Sequence, residues 1–242
     1  MLLPAQTPAP PTIDLLFVDQ HIVVANKPCG LLVHRGWDND DDVALFRVRD
    51  AVGAYVYPVH RLDRGTSGAL LFARSAEIAA VLGAQLGTGR LERRYLALVR
   101  GRPPSAGVID HPIAKDETKG AARVPAVTRF RVVAQSVVDR CSLVEAIPRT
   151  GRLHQVRRHL RHINHPLVGD VNYGSGDINR HYRAKYNLRR LALHAHLLAL
   201  HHPVSGERIV VRAPMADDLA LALAALGLPT QVDDEPAPVV PA

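Results

Sequence analysis

HRLDRGTSG, residues 60–68, is a polar, glycine-containing stretch held between two apolar runs of strand-forming residues, YVYPV at 55–59 and ALLFA at 69–73. A short polar segment between two strands is a loop carried on a rigid scaffold, where catalytic groups tend to be held. Outward from it, further β-rich runs recur at 15–18, 22–25, 95–99, 127–133, 142–147, 191–200 and 208–212. Helical patterns are fewer: 42–51, 76–86 behind a capping Ser75, 154–163, and 216–226 after Pro214. Pro203 to Gly206, between two strand-like runs, reads as a hairpin turn. Strands that arrive in groups, without strict alternation with helices, predict an α+β domain with a mainly antiparallel sheet.

The bulk properties set the frame. With 242 residues and 47% apolar content, the chain buries a continuous core without help from a cofactor. Residues 1–12 carry four prolines and few large apolar side chains, and the run from Pro229 is rich in proline and acids; both read as flexible tails around one domain at 13–228. Cys29 and Cys141 form no CxxC pair and no disulfide framework, which predicts a reducing cytoplasm. The start lacks a basic n-region and a long apolar h-region, and no later stretch has the length of a bilayer-spanning helix, so no membrane association is expected. Lysine and arginine outnumber acids by 30 to 23, and the excess is concentrated. Between Arg149 and Arg190 there are ten basic residues against Asp170 and Asp177, more positive charge than the +7 of the whole chain. Clustered arginine is the footprint of phosphate contacts with a nucleic acid, although a solvated, salt-bridged face has the same composition.

Within the loop, Asp63 lies between Arg61 and Arg64, and nearby positive charge should keep it ionised, as suits a nucleophile or base better than a proton donor. Taken alone it reads first as a turn cap or an arginine's partner. Three other stretches change that. NKPCGLLVH at 26–34, RYLALVRG at 94–101, and TGRLHQVR at 150–157 with His159-Leu160 and then HPLVGD at 165–170 join HRLDRGTSG in one order. Together these four stretches resemble the motifs of the RluA-type pseudouridine synthase family over about residues 15–226. The K/R-x-Y strand motif of that family is met here by Arg93 or Arg94 before Tyr95.

The resemblance implies the pseudouridine synthase catalytic domain, a mainly antiparallel mixed sheet flanked by helices. It implies Asp63 as the catalytic carboxylate, Tyr95 stacked on or orienting the target uracil, and Arg157 paired with Asp63 across the cleft, in preference to Arg152. Arg61 would help extrude the nucleotide or fill its place. RNA binding would fall to His60, Arg61, Arg152, His154, Gln155 and Arg158, with Arg152, His154 and Gln155 at a loop entering a helix, a place able to take a phosphate. Isomerising uridine needs the N1 glycosidic bond broken, the ring turned and C5 bonded to C1′, with no redox change, so no cofactor is expected, and neither GxGxxG after a strand nor GxxxxGK[ST] is present. Asp63 either attacks C1′ or acts as a base on the ribose, after the uridine has been flipped from its stack.

Two rival readings remain. Thirteen histidines, above all His194 and His196 two apart on one strand, suggest a metallohydrolase, but no acidic third ligand lies nearby in the sequence and no metal is expected. A non-catalytic RNA-binding module would not require Asp63, Tyr95 and Arg157 together. Residues 1–12 are too short for an S4-type extension, so a catalytic domain without one is expected, as in the smaller family members. The stretch 34–38, with Trp37, and the basic insert 176–180 are most similar to the tRNA pseudouridine synthase C group, which modifies uridine 65 of tRNA, so tRNA is the preferred substrate over ribosomal RNA, taken by a monomer.

Overall fold

The computed structural model describes residues 12–35, 40–116, 118 and 120–232. Its elements, in chain order, are β1 (Asp14–Val18), β2 (Ile22–Lys27), α1 (Ala44–Val52), β3 (Tyr57–Pro58), β4 (Ser67–Ala73), α2 (Ala76–Thr88), β5 (Glu92–Arg100), β6 (Ala106–Asp110), β7 (Ile113–Ala114), β8 (Arg123–Val124), β9 (Val127–Gln135), β10 (Cys141–Pro148), α3 (Gln155–His162), α4 (Gly176–Tyr186), β11 (Leu193–His201), β12 (Arg208–Arg212) and α5 (Asp217–Ala225). Ten strands form one sheet in the order β1-β2-β4-β11-β5-β10-β9-β6, with β12 beside β11 and β3 beside β4; β7 and β8 form a separate hairpin. Its pairings are antiparallel except β4 with β11, where His194 lies opposite Ser67 and Ala195 opposite Gly68. The architecture is the α+β mixed sheet expected.

That parallel junction positions the loop. Gly68 has φ +112, and a Cβ there would lie 2.2 Å from the Ala195 carbonyl oxygen, so only glycine lets the two strands meet where the loop ends. Strand alternation then divides the core. On one face Tyr95, Ala97 and Val99 of β5 pack with Val156 and Leu160 of α3 and Ala44 and Val48 of α1. On the other, Leu96 and Leu98 meet Tyr182 of α4 and Leu219, Ala222 and Leu223 of α5. Ser75 caps α2 as expected, its hydroxyl accepting from the Ile78 amide at 3.3 Å, and Gly89 closes the helix at φ 74.

Several expectations shift. The strand expected at 55–59 contracts to Tyr57–Pro58, because Tyr55 is exposed and Pro58 has no amide to donate, although the Val59 amide still reaches Leu71. The helices expected at 42–51 and 154–163 start at Ala44 and Gln155. Strands β6, β7 and β8, and helix α4, had no counterpart in the sequence reading. In α4 only Tyr182 is buried, so GDINRHYRAKY carries too narrow an apolar stripe to announce a helix. The two-residue strands β7 and β8 exist only by pairing with each other.

Candidate active site

The loop before β4 is clamped from below by residues 27–31. Arg64 and Gly30 exchange hydrogen bonds, Gly30 N to the Arg64 carbonyl at 2.8 Å and Arg64 Nε to the Gly30 carbonyl at 3.0 Å. Beneath them the wholly buried Lys27 Nζ donates to the carbonyls of Leu31 (2.7 Å), Pro28 (2.9 Å) and Arg64 (3.3 Å). Burial pulls the Lys27 pKa down to about 7. Leu62, buried among Leu31 and Val33, pins the other side of the turn, and the Thr66 amide closes it on the Asp63 carbonyl at 2.9 Å. Asp63 is thereby presented at the sheet's surface, its side chain one quarter exposed.

Opposite it, Arg157 on the first turn of α3 donates Nη1 to Asp63 Oδ2 at 3.0 Å. The rest of its fork is held by Asp170, Nε to Oδ2 at 2.8 Å and Nη2 to Oδ1 at 2.9 Å. Burial works against the charge of Asp170, but the Arg157 bonds and the amides of Tyr173 and Asn172 outweigh it and hold the carboxyl below its ordinary range. Arg157 is raised in turn: its own burial is outweighed by the two carboxylates. Its guanidinium also lies 5.0 Å over the Tyr173 ring, and the Tyr173 hydroxyl meets His154 Nδ1 at 3.0 Å. His154 Nε2 faces the second oxygen of Asp63 at 3.9 Å, from a backbone held at φ 52.

Asp63, Tyr95, Arg93, Thr66, Gly151 and Leu193 line a cavity of about 450 Å³, and a second of about 410 Å³ adjoins it at Asp63, Arg61 and His154. Tyr95 is buried on the same face of β5 as Arg93, and burial with the Asp63 charge raises its phenol pKa although Arg93 opposes the shift. A neutral ring on the floor, the Asp63 side chain on one wall and guanidinium groups around both can hold a flat polar ring beside Asp63.

The structure thus brings Asp63, Tyr95 and Arg157 together, and Arg157 rather than Arg152 meets the carboxylate. The guanidinium bonded to Asp63 is not that of a sequence neighbour: Arg64 turns to Asp40 at 3.4 Å, and Arg61 is exposed where the two cavities meet. Among the residues expected to bind RNA, Arg61 and Arg152 are exposed, while His154 and Arg158 are half-buried. Two are interior. His60 is 6% exposed with Nε2 accepting from the Leu71 amide, and its burial, with Arg93 beside it, lowers its pKa to about 3. Gln155 is 4% exposed; its oxygen accepts from Thr150 and the Arg152 amide, and its nitrogen donates to Val127 and Thr128. Both side chains are buried where they line the cavity and brace it by these hydrogen bonds. Arg158 spends its Nη1 on the carbonyls of Ala114 (2.9 Å) and Leu153, tying the β7–β8 hairpin to α3.

His194 and His196 part company. His194 bonds Ser67 Oγ at 2.8 Å, whereas His196 meets Glu145 Oε1 at 3.0 Å, a carboxylate 51 residues away that the sequence did not place beside it. No group of three potential metal ligands occurs among the described residues. Trp37 lies outside the described residues. No role was expected of Tyr173; Asp170 was noted only as part of the HPLVGD motif, and Arg93 only as one of two candidates for the basic position before Tyr95, although two residues apart on a strand was a signal for one shared face.

A family model described as RNA pseudouridylate synthase matches residues 21–162. The chain is 41% identical to a tRNA pseudouridine synthase C of Pectobacterium carotovorum subsp. carotovorum, over 83% of this chain but 58% of that protein, less than two thirds of its length. It is 37% identical to a tRNA pseudouridine synthase C of Vibrio cholerae serotype O1, over 83% of this chain and 90% of that one. Among solved structures it resembles Human RNA Pseudouridylate Synthase Domain Containing 4 with a TM-score of 0.71 and 27% identity, covering 88% of this chain and 93% of that chain. Human RNA Pseudouridylate Synthase Domain Containing 1 is alike at 0.70 and 26%, covering 89% of each.

Proposed function

This chain belongs to the RNA pseudouridylate synthase family, and from that premise we propose that it isomerises uridine to pseudouridine in tRNA, with Asp63 as the essential carboxylate. The observation that supports this most is the chain Asp63–Arg157–Asp170 facing Tyr95 across one cavity. Arg157, fixed by its bidentate bond to Asp170, holds Asp63 by one oxygen, while the other faces His154 Nε2 at 3.9 Å, on the wall of the cavity. Tyr95 offers its ring to an extruded uracil, and the exposed Arg61 and Arg152 at the rim meet the flanking backbone.

In the reaction the N1–C1′ bond breaks with its electron pair on the ring, the ring turns, and C5 bonds to C1′; C5 then loses its proton and N1 gains one. Asp63 supports this either by attacking C1′ or by taking and returning a ribose proton. For tRNA as substrate the support is the identity to enzymes named for tRNA; uridine 65 follows from the resemblance of the motifs alone. We place the activity in a monomeric catalytic domain at 13–228 in the cytoplasm, in keeping with two unpaired cysteines; no described helix is long and apolar enough to cross a membrane.

Release of tritium from RNA carrying 5-tritiated uridine tests the chemistry: binding without release leaves only an RNA-binding module. Mapping pseudouridine in total tRNA and ribosomal RNA from cells with and without the gene tests the substrate. Loss of a tRNA position is expected; loss of a ribosomal position alone would leave the chemistry standing and overturn the choice of RNA.

A further inference from the structure

Arg93 and Arg94 are neighbours in the sequence and opposites in the fold. Alternation along β5 sends Arg94 to the far face of the sheet, where it meets Glu92 at 2.7 Å and Glu145 at 3.8 Å. Arg93 goes with Tyr95 into the cavity. It is 7% exposed, and among the described residues it has no carboxylate partner; its one hydrogen bond runs from Nη2 to the Thr150 carbonyl at 3.0 Å. Among the described residues its buried Nε has no hydrogen-bond partner. A buried cation without an anion is costly, and folded chains ordinarily pair it. The groups around it offer nothing: Asp63 is engaged by Arg157, Tyr95 is a neutral phenol, and His60 is an uncharged imidazole.

We propose that Arg93 is a catalytic residue whose guanidinium serves as the counter-ion of the uracil ring while that ring is detached from C1′. The inference rests on the pseudouridine synthase reading of the site. Whichever part Asp63 plays, the pair of the broken N1–C1′ bond stays with the ring, which becomes a monoanion with its charge spread over N1, O2 and O4. The ring must then turn before C5 bonds to C1′. A forked donor beside the stacking tyrosine meets first one carbonyl oxygen and then the other through that turn, where a point charge would favour one orientation. When the C5–C1′ bond forms, the pair returns to it, the C5 proton leaves, N1 is protonated, and Arg93 is unchanged. The missing partner is thus supplied by the intermediate, so the interaction is stronger after bond cleavage than before it, as catalysis requires.

The test uses the full chain and RNA transcripts made with uridine or with 5-fluorouridine, scoring disappearance of the parent nucleoside in a single turnover beside the Kd and the melting temperature. Tritium release by the unaltered protein comes first; if it fails, the functional reading falls independently of Arg93. Arg93→Met should slow the single-turnover step about 10²–10³-fold, the range for losing one preorganised donor, with Kd unchanged. Arg93→Lys should restore part of the rate. The deficit should shrink on 5-fluorouridine, because fluorine itself stabilises the departing anion. Three outcomes overturn the proposal: a loss confined to Kd and its salt dependence, which marks a phosphate contact; an equal deficit on both pyrimidines; or a lowered melting temperature with a rate that Arg93→Lys does not restore, which marks a brace for Thr150.

Discussion

A single arginine fork organises the chemistry proposed for this cavity. Arg157 binds two carboxylates of opposite character, Asp170 fully buried and Asp63 open to the cavity. Replacing Asp63 by Asn removes the charge at nearly constant volume and should lower turnover by about four orders of magnitude, the scale for disabling a catalytic carboxylate, with RNA binding and melting temperature retained; residual tritium release near the unaltered rate would remove Asp63 from its role. Asp170→Asn leaves a buried guanidinium short of its anion and should cost about 3–5 kcal/mol in urea unfolding. Because the folded carboxyl titrates below the unfolded one, the unfolded state takes up the proton more readily. The stability this pair contributes is therefore complete above the ordinary carboxylate value near 4 and drains away as pH falls through the folded value. Between pH 7 and 3 the variant should lose less stability than the unaltered protein, and parallel curves would show that Asp170 does not carry the acid limb. Asp63, Tyr95 and Arg157 were legible because each stands inside a motif. Asp170 also stands in one, but nothing in HPLVGD says that its side chain turns back 13 residues to the helix.

At the level of elements, the site depends on where strands stop and loops are gripped. The junction of β4 and β11 fixes the end of the loop, and Gly68 is the residue on which it closes. Gly68→Ala combines a strained φ with a Cβ driven into the Ala195 carbonyl, so a loss of about 2–6 kcal/mol is expected from the two effects together, read as a lowered melting temperature with lowered turnover. An unchanged melting temperature would mean that the strands part without penalty there. Apolar runs such as 69–73 and 95–99 announced their strands directly, since burial on both faces leaves a continuous hydrophobic signature. Helix α4 and the β7–β8 hairpin gave no such signature; α4 is held by one buried tyrosine, and the hairpin by its own pairing and by Arg158.

Across the whole molecule, the basic segment 149–190 is partly internal. Arg157 and Arg190 are buried and spent on Asp170, Asp63, Ser67 and Asp218, and Arg158 on backbone carbonyls. Charge left for a polyanion sits on exposed side chains, and Arg152 is the one at the cavity's rim. Arg152→Gln should weaken RNA binding at low salt and reduce the slope of log Kd against log salt by about 0.7–0.9, one phosphate's worth, with the single-turnover rate unchanged. A slope identical to that of the unaltered protein would take Arg152 off the phosphate surface.

The sequence alone determined the α+β class, the positions of most strands along the chain, the family and the loop that presents Asp63, because apolar runs and short motifs are local properties of the chain. Only the tertiary structure decided which charges meet. Pairing in this site joins residues 63 with 157, 27 with 64 and 93 with 150, separations over which no periodicity in the sequence carries information. The same folding turned Arg64 away from the aspartate beside it and decided what each of two adjacent arginines meets, Glu92 and Glu145 for Arg94 and the Thr150 carbonyl for Arg93; that the two lie on opposite faces follows from strand alternation alone.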